Sequence, residues 1–150
     1  MKKQQRVVGA VLAVPLGDET TCYAITLHEA DFAFFEARTS DASPPDDLLE
    51  RPAPFRVAVH KSAWSNGRWL RVAKVELPEQ FRRSEPKFMQ DALNPGQFQI
   101  YVGGEIRPAS RAECEGLERA AVWDPEHVES RLRDHYAGVP NQWLESLRLK

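Results

Sequence analysis

The chain has 150 residues, with 20 Lys and Arg against 22 Asp and Glu (a net charge of −2), and is 42% apolar and 28% charged. These proportions are those of a soluble globular protein, and they exclude collagen, a coiled coil, a long disordered chain and a multi-span membrane protein. The length suits a single domain over residues 1–150, and the near balance of charge disfavours a protein built mainly to grip nucleic acid.

The basic start, Met1 to Arg6, is followed by the mostly apolar run Val7–Leu16, a pattern that imitates a secretory leader. The run is short for such a leader, lacks an A-x-A site, and falls short of the ~20 residues that span a bilayer. It predicts a buried first strand over Val7–Pro15, with Gly17-Asp18-Glu19-Thr20 as the turn after it. Cys22–Leu27 and Phe32–Ala37 then read as two more strands of an antiparallel meander, since the links are too short for crossovers. The polar, proline-containing stretch 39–47 is a loop, and Asp46–Arg51 suits one helical turn. Phe55–His60 alternates with period two, placing Phe55, Val57 and Val59 on one face. Ser65-Asn66-Gly67 predicts a hairpin turn leading to a partner strand over Arg68–Leu77. Glu79–Leu93 is a charged, poorly patterned connection, and Gly103-Gly104 predicts a second hairpin between Gln97–Val102 and Glu105–Arg107.

After residue 109 the period becomes helical. Ser110 and Glu113 form a capping box ahead of Cys114, Leu117 and Ala121. Asp124 suits the cap of a second helix with Pro125 at its first position and the stripe Val128, Leu132, Tyr136, and Gly138 suits the residue just past its end. Asn141 caps a last short helix that turns Trp143, Leu144 and Leu147 inward. Strands first and helices last predict an α+β fold. Its N-terminal antiparallel, partly barrel-like β-sheet is built from hairpins and packed by two or three short C-terminal helices.

No reaction centre stands out: GxxxxGK[ST], GxGxxG, GxSxG and HExxH are all absent. His127 and His135 lie eight residues apart on one predicted helix, ~12 Å along its axis, too far to share a metal. His28 among Glu29 and Asp31 reads as a solvated turn, and Cys22 and Cys114 as buried free thiols of a reducing compartment. The residues therefore offer no self-evident catalytic centre, no shared metal site and no membrane span, and the two thiols fit a reducing compartment.

The small net charge is a cancellation. Residues 18–50 hold nine acids and one base, a net of −8, whereas residues 51–87 hold nine bases and three acids, a net of +6. The acidic half is a candidate docking surface for a basic partner, with Asp18, Glu19, Asp41, Asp46 and Asp47 as its candidate contacts. The basic half interleaves Trp64, Trp69, Phe81 and Phe88 with arginines and lysines, which supports an alternative, a small nucleic-acid- or anion-binding β domain. The adjacent −8 segment, which would repel phosphate, weighs against it.

The stretch Gly116–Glu129, through Trp123-Asp124-Pro125-Glu126-His127, followed by Arg131–His135, resembles the C-terminal signature of the immunity protein 26 family. Gly9–Leu16 looks like that family's opening strand, and Gly67-Arg68-Trp69 and Pro86-Lys87-Phe88 fall where similar middle motifs would fall. The resemblance implies a predicted immunity protein of a bacterial polymorphic toxin system. Such a protein binds and neutralises a cognate toxin domain through protein–protein contact. It also implies a cytoplasmic, non-enzymatic protein with no reaction, no cofactor and no catalytic residues, and no membrane partner is expected. A basic toxin, a nuclease for instance, is the partner an acidic surface would suit.

Overall fold

In a computed structural model, which describes residues 3–150, the apolar run near the N-terminus is a strand buried on both faces. That strand, β1 (Ala10–Pro15), pairs antiparallel with β2 (Thr21–Thr26), and β2 with β3 (Asp31–Thr39), as the short links require. β4 (Phe55–Val59) follows β3 in the sheet, and Phe55, Val57 and Val59 are its buried residues. The predicted first strand is shortened at its start, because Ala10 donates to the Val7 carbonyl and Gly9 turns the chain at φ +88°. Met1 and Lys2 of the basic start lie outside the described residues.

The hairpin predicted across Ser65-Asn66-Gly67 does not form. β5 (Leu70–Lys74) pairs with β1 at the far edge of the sheet, because both sides of β4 are taken, one by β3 and the other by a later strand, β10. Asn66-Gly67 still turns the chain, but after a 3-10 turn at Lys61–Ala63 that carries it across the sheet. The resulting six-stranded sheet runs β10-β4-β3-β2-β1-β5. β5 and β10 lie at opposite edges without pairing, so the sheet is open, not the partly barrel-like one expected.

A second sheet was only half legible. The connection over Glu79–Leu93 contains β6 (Lys87–Gln90), which pairs with β7 (Phe98–Val102). β7 in turn makes the expected hairpin with β8 (Glu105–Ala109), and Gly103 and Gly104 both take positive φ in its turn. The capping box forms, with Ser110 Oγ accepting the Glu113 N–H at 3.2 Å and the Glu113 carboxylate accepting the Ser110 N–H at 3.0 Å. The helix it starts, α1 (Arg111–Cys114), ends after one turn, since Glu115 is extended and Gly116 adopts φ +82°. The chain then supplies two short parallel strands in place of the predicted helix. β9 (Glu118–Arg119) lies beside β6, and β10 (Val122–Trp123) beside β4. One segment thus joins the edges of both sheets.

The helices α2 (Pro125–Ala137) and α3 (Gln142–Ser146) form where predicted, with Gly138 in the left-handed region and Asn141 capping two backbone N–H groups, but Asp124, expected to cap α2, holds the N-cap position without a side-chain cap bond. The fold is α+β. α2 and α3 cover one face of the large sheet, where Val128, Leu132 and Trp123 join Leu12, Phe34 and Val57 in the main core. The other face buries Val11, Tyr23, Ile25 and Phe35 beneath Leu48, Leu77 and Phe81. The small sheet packs Phe88, Phe98 and Ile100 against Cys114 of α1.

Two side chains test this packing. Trp123 is 3% exposed, so Trp123→Ala should lower unfolding free energy in urea by ~3–5 kcal/mol. A near-neutral change would contradict its burial. A Cβ at Gly9 would press into the Val75 carbonyl oxygen at a positive φ. Gly9→Ala should therefore cost more than ~1 kcal/mol by the same measurement.

Candidate partner-binding surfaces

The candidate acidic contacts divide into two groups. The pairing of Thr21 with Thr39 sets the β1–β2 turn beside the end of β3, bringing Asp18, Glu19 and Asp41 to one end of the large sheet. All three are exposed. The Thr20 hydroxyl and backbone N–H bond the Asp18 carboxylate and hold its pKa below the usual aspartate value. Asp41 accepts the Ser43 N–H at 3.2 Å through its side chain and the Tyr23 hydroxyl at 3.0 Å through its carbonyl. Asp46 and Asp47 are also exposed but sit further along, on the loop before the 3-10 turn Leu48–Glu50, where Asp47 pairs with Arg51 at 3.1 Å.

The basic half is organised differently. Trp69, Phe81 and Phe88 are buried in the three cores and Trp64 packs against the main one, so these rings offer no open stacking platform. Most of the cations are engaged. Arg68 donates to Glu129 through Nε at 2.9 Å and Nη2 at 2.8 Å, and the same carboxylate accepts Trp69 Nε1 at 2.8 Å. Arg56 lies 3.3 Å from Glu85 and donates to the carbonyls of Gln80 and Arg83. Lys87, 5% exposed, donates to the Arg56 carbonyl and lies 3.4 Å from Asp31 and 3.6 Å from Glu85.

The histidines are spread out. His127 stacks on Trp143 at 3.6 Å between ring centres, and His135 Nε2 meets Glu36 at 2.7 Å, tying α2 to β3. His60 caps the 3-10 turn that follows it. His28 stands exposed on the β2–β3 turn, which borders a cleft that the sequence did not disclose. The cleft holds about 400 Å³ between the two sheets. One wall is the β6–β7–β8 face opposite α1, where register aligns Lys87 with Tyr101 and Tyr101 with Ile106, and Met89 follows on the same side. The other wall is Ala58, Ala120, Ala121 and Val122. Its lips are the turn around Glu29 and the loop Arg82–Glu85. No signal in the sequence could have located it while β6, β9 and β10 were unassigned, because the alternation of faces along those strands creates it.

The family model described as Immunity protein 26 matches residues 7–99, and the chain belongs to that family. The match runs from before β1 into β7 and takes in Gly9–Leu16, Gly67-Arg68-Trp69 and Pro86-Lys87-Phe88. The C-terminal stretch 116–135 lies outside it. Comparisons with curated proteins and with solved structures return no match. Among the described residues, no helix is long and apolar enough to cross a membrane.

Burial raises the pKa of both thiols, that of Cys22 to about 12. Neither should react with a disulfide probe in the folded protein at pH 8, while both should react once guanidinium unfolds it. Rapid labelling of the native protein would contradict this.

Proposed function

We propose that this protein is a non-enzymatic cytoplasmic immunity protein that binds and neutralises a cognate bacterial toxin domain by protein–protein contact, with the whole chain 1–150 acting as one unit. The observation that carries this reading is the match to the Immunity protein 26 family over residues 7–99. The toxin domain encoded beside this chain's gene is the direct test. A stable complex in size-exclusion chromatography, and survival of toxin-exposed cells that express the protein, are the expected results. A toxin that stays unbound and kills those cells overturns the reading.

The acidic residues offer a mechanism for fast capture. Asp18, Glu19 and Asp41 sit together, with Asp46 and Asp47 on the following loop, and such a surface accelerates encounter with a basic toxin such as a nuclease. Asp18→Lys, Glu19→Lys and Asp41→Lys combined should slow association by roughly tenfold at low salt and flatten its salt dependence, with dissociation little changed. Stopped-flow association rates across a salt series measure this. Rates equal to those of the wild type would remove the acidic surface from the mechanism.

A further inference from the structure

We propose that the cleft between the two sheets is an anchor pocket for a polypeptide, receiving an aromatic or large aliphatic side chain from a segment that also carries a carboxylate. The identity of that polypeptide as the toxin rests on the function proposed above; the chemistry of the pocket does not.

The size comes first. About 400 Å³ falls within the ~300–1,000 Å³ of clefts that bind ligands. The space exists because Ala58, Ala120 and Ala121 stand where larger side chains would close the gap to Met89 and Tyr101. The apolar lining continues past the mouth, since Ile106 is 53% and Val122 67% exposed. Contiguous apolar surface of this kind is stabilised when a partner removes it from water.

The polar groups then choose the occupant. Small-molecule sites orient their ligand with a few buried donors and acceptors that point at it. Here the buried candidates are already engaged, with Lys87 held by a carbonyl and two carboxylates, and Arg56 by two carbonyls and Glu85. A phosphate or other small anion would find those donors taken. At the lip, Ser84 bonds Glu29 at 2.9 Å, whereas Arg83 has no carboxylate within ion-pair distance among the described residues. The complement to an apolar slot with an uncommitted guanidinium at its rim is an apolar side chain beside an Asp or Glu. This carboxylate is local to the anchoring segment. The acidic end lies beyond the opposite end of β2, ~20 Å away, so a partner with a basic patch elsewhere can satisfy both surfaces.

Two measurements decide the matter. In the first, the full chain is titrated with the capped dipeptides Ac-Asp-Phe-NH2, Ac-Lys-Phe-NH2 and Ac-Asp-Ser-NH2 while amide NMR signals are followed. Signals of Ala58, Met89, Tyr101 and Ala121 should move most with Ac-Asp-Phe-NH2, less with Ac-Lys-Phe-NH2 and not with Ac-Asp-Ser-NH2. Arg83→Glu, at an exposed position, should invert the preference between the Asp and Lys peptides. Shifts confined to other surfaces, or equal shifts with the serine peptide, overturn the pocket. In the second, Ala121→Trp fills the cleft, and its affinity for the toxin domain should fall roughly tenfold or more, as for loss of a central anchor. If Ala121→Trp does not fold, Arg83→Glu takes its place, with a smaller loss expected. A folded variant with wild-type affinity overturns the toxin anchor while leaving the immunity function intact. A wild-type protein that ignores the toxin but binds the Asp-Phe peptide in the cleft does the reverse.

Discussion

The ammonium of Lys87 holds the two sheets against each other, and the shape of the molecule follows from that contact. Stripping water from an ammonium costs several kcal/mol unless oxygen atoms replace it. Lys87 finds those oxygens on three other segments: the Arg56 carbonyl of β4, Asp31 at the start of β3, and Glu85 on the preceding loop. Arg56 is fixed in turn, because its guanidinium reaches the carbonyls of Gln80 and Arg83 and lies over the ring of Phe81. A charged cluster therefore sets the spacing of β4 and β6 where Lys87 sits, and next to it Ala58 of β4 and Ala120 and Ala121 of the β9–β10 link do not fill the gap. The cleft is the consequence of a satisfied ion cluster next to small side chains.

A second polar junction joins the part of the chain that matches the family to the part that does not. Glu129 of α2 is buried, and a buried carboxylate needs donors. It takes them from Arg68 and Trp69, two residues of the middle motif within the match. Trp69 is in turn packed edge-on against Phe32 and Phe34 in the main core. Arg131, two residues further along the same helix, pairs with Glu118 at 2.6 and 2.9 Å and lies over Phe55 and Trp123. The helix is thus held by its apolar stripe and by two charged side chains that point into the sheet region. The matched sheet and the unmatched helix complete each other's hydrogen bonds.

Local signals in the sequence were reliable where one residue type dictates one conformation. The capping box at Ser110, proline at the start of α2, Gly138 after its end, the Asn141 cap and the Gly103-Gly104 turn all stand in the structure because their chemistry acts within a few residues. Pairing between distant strands was not legible. Ser65-Asn66-Gly67 carries hairpin chemistry, yet β5 crosses to β1, since the choice of partner depends on which edges other strands have occupied. β6 is four residues in a charged stretch, and its buried Lys87 breaks the apolar alternation that would reveal it. β9 and β10 have two residues each, too few for any period to show, and their stretch instead carries helical spacing that Gly116 interrupts. The acidic surface could be read from composition, whereas the cleft depends on those hidden strands.

Folding pairs part of each charged half of the chain, and what is left bears on how a partner meets the molecule. Among the described residues, Arg51, Arg56, Arg68, Arg82 and Lys87 of the basic half lie against carboxylates. In the acidic half, Asp31, Glu36 and Asp47 have a cationic or histidine partner, while Asp18, Glu19, Asp41 and Asp46 form no such pair. Lys61, Arg71, Lys74 and Arg83 of the basic half likewise form no ion pair among the described residues, so each half keeps unpaired charge of its own sign. Near the β1–β2 turn the exposed acids share the surface with Arg38, whose charge acts on Asp18, and with Arg133, which donates to the Leu16 carbonyl, so the field a partner meets there is that of the acids less these two cations. Fields act over roughly a Debye length of ~8–10 Å at physiological salt, whereas apolar contact acts only on touching. An acidic end that gathers a basic partner and an apolar cleft that retains it would act in sequence. The first then governs the rate of arrival and the second the lifetime of the complex.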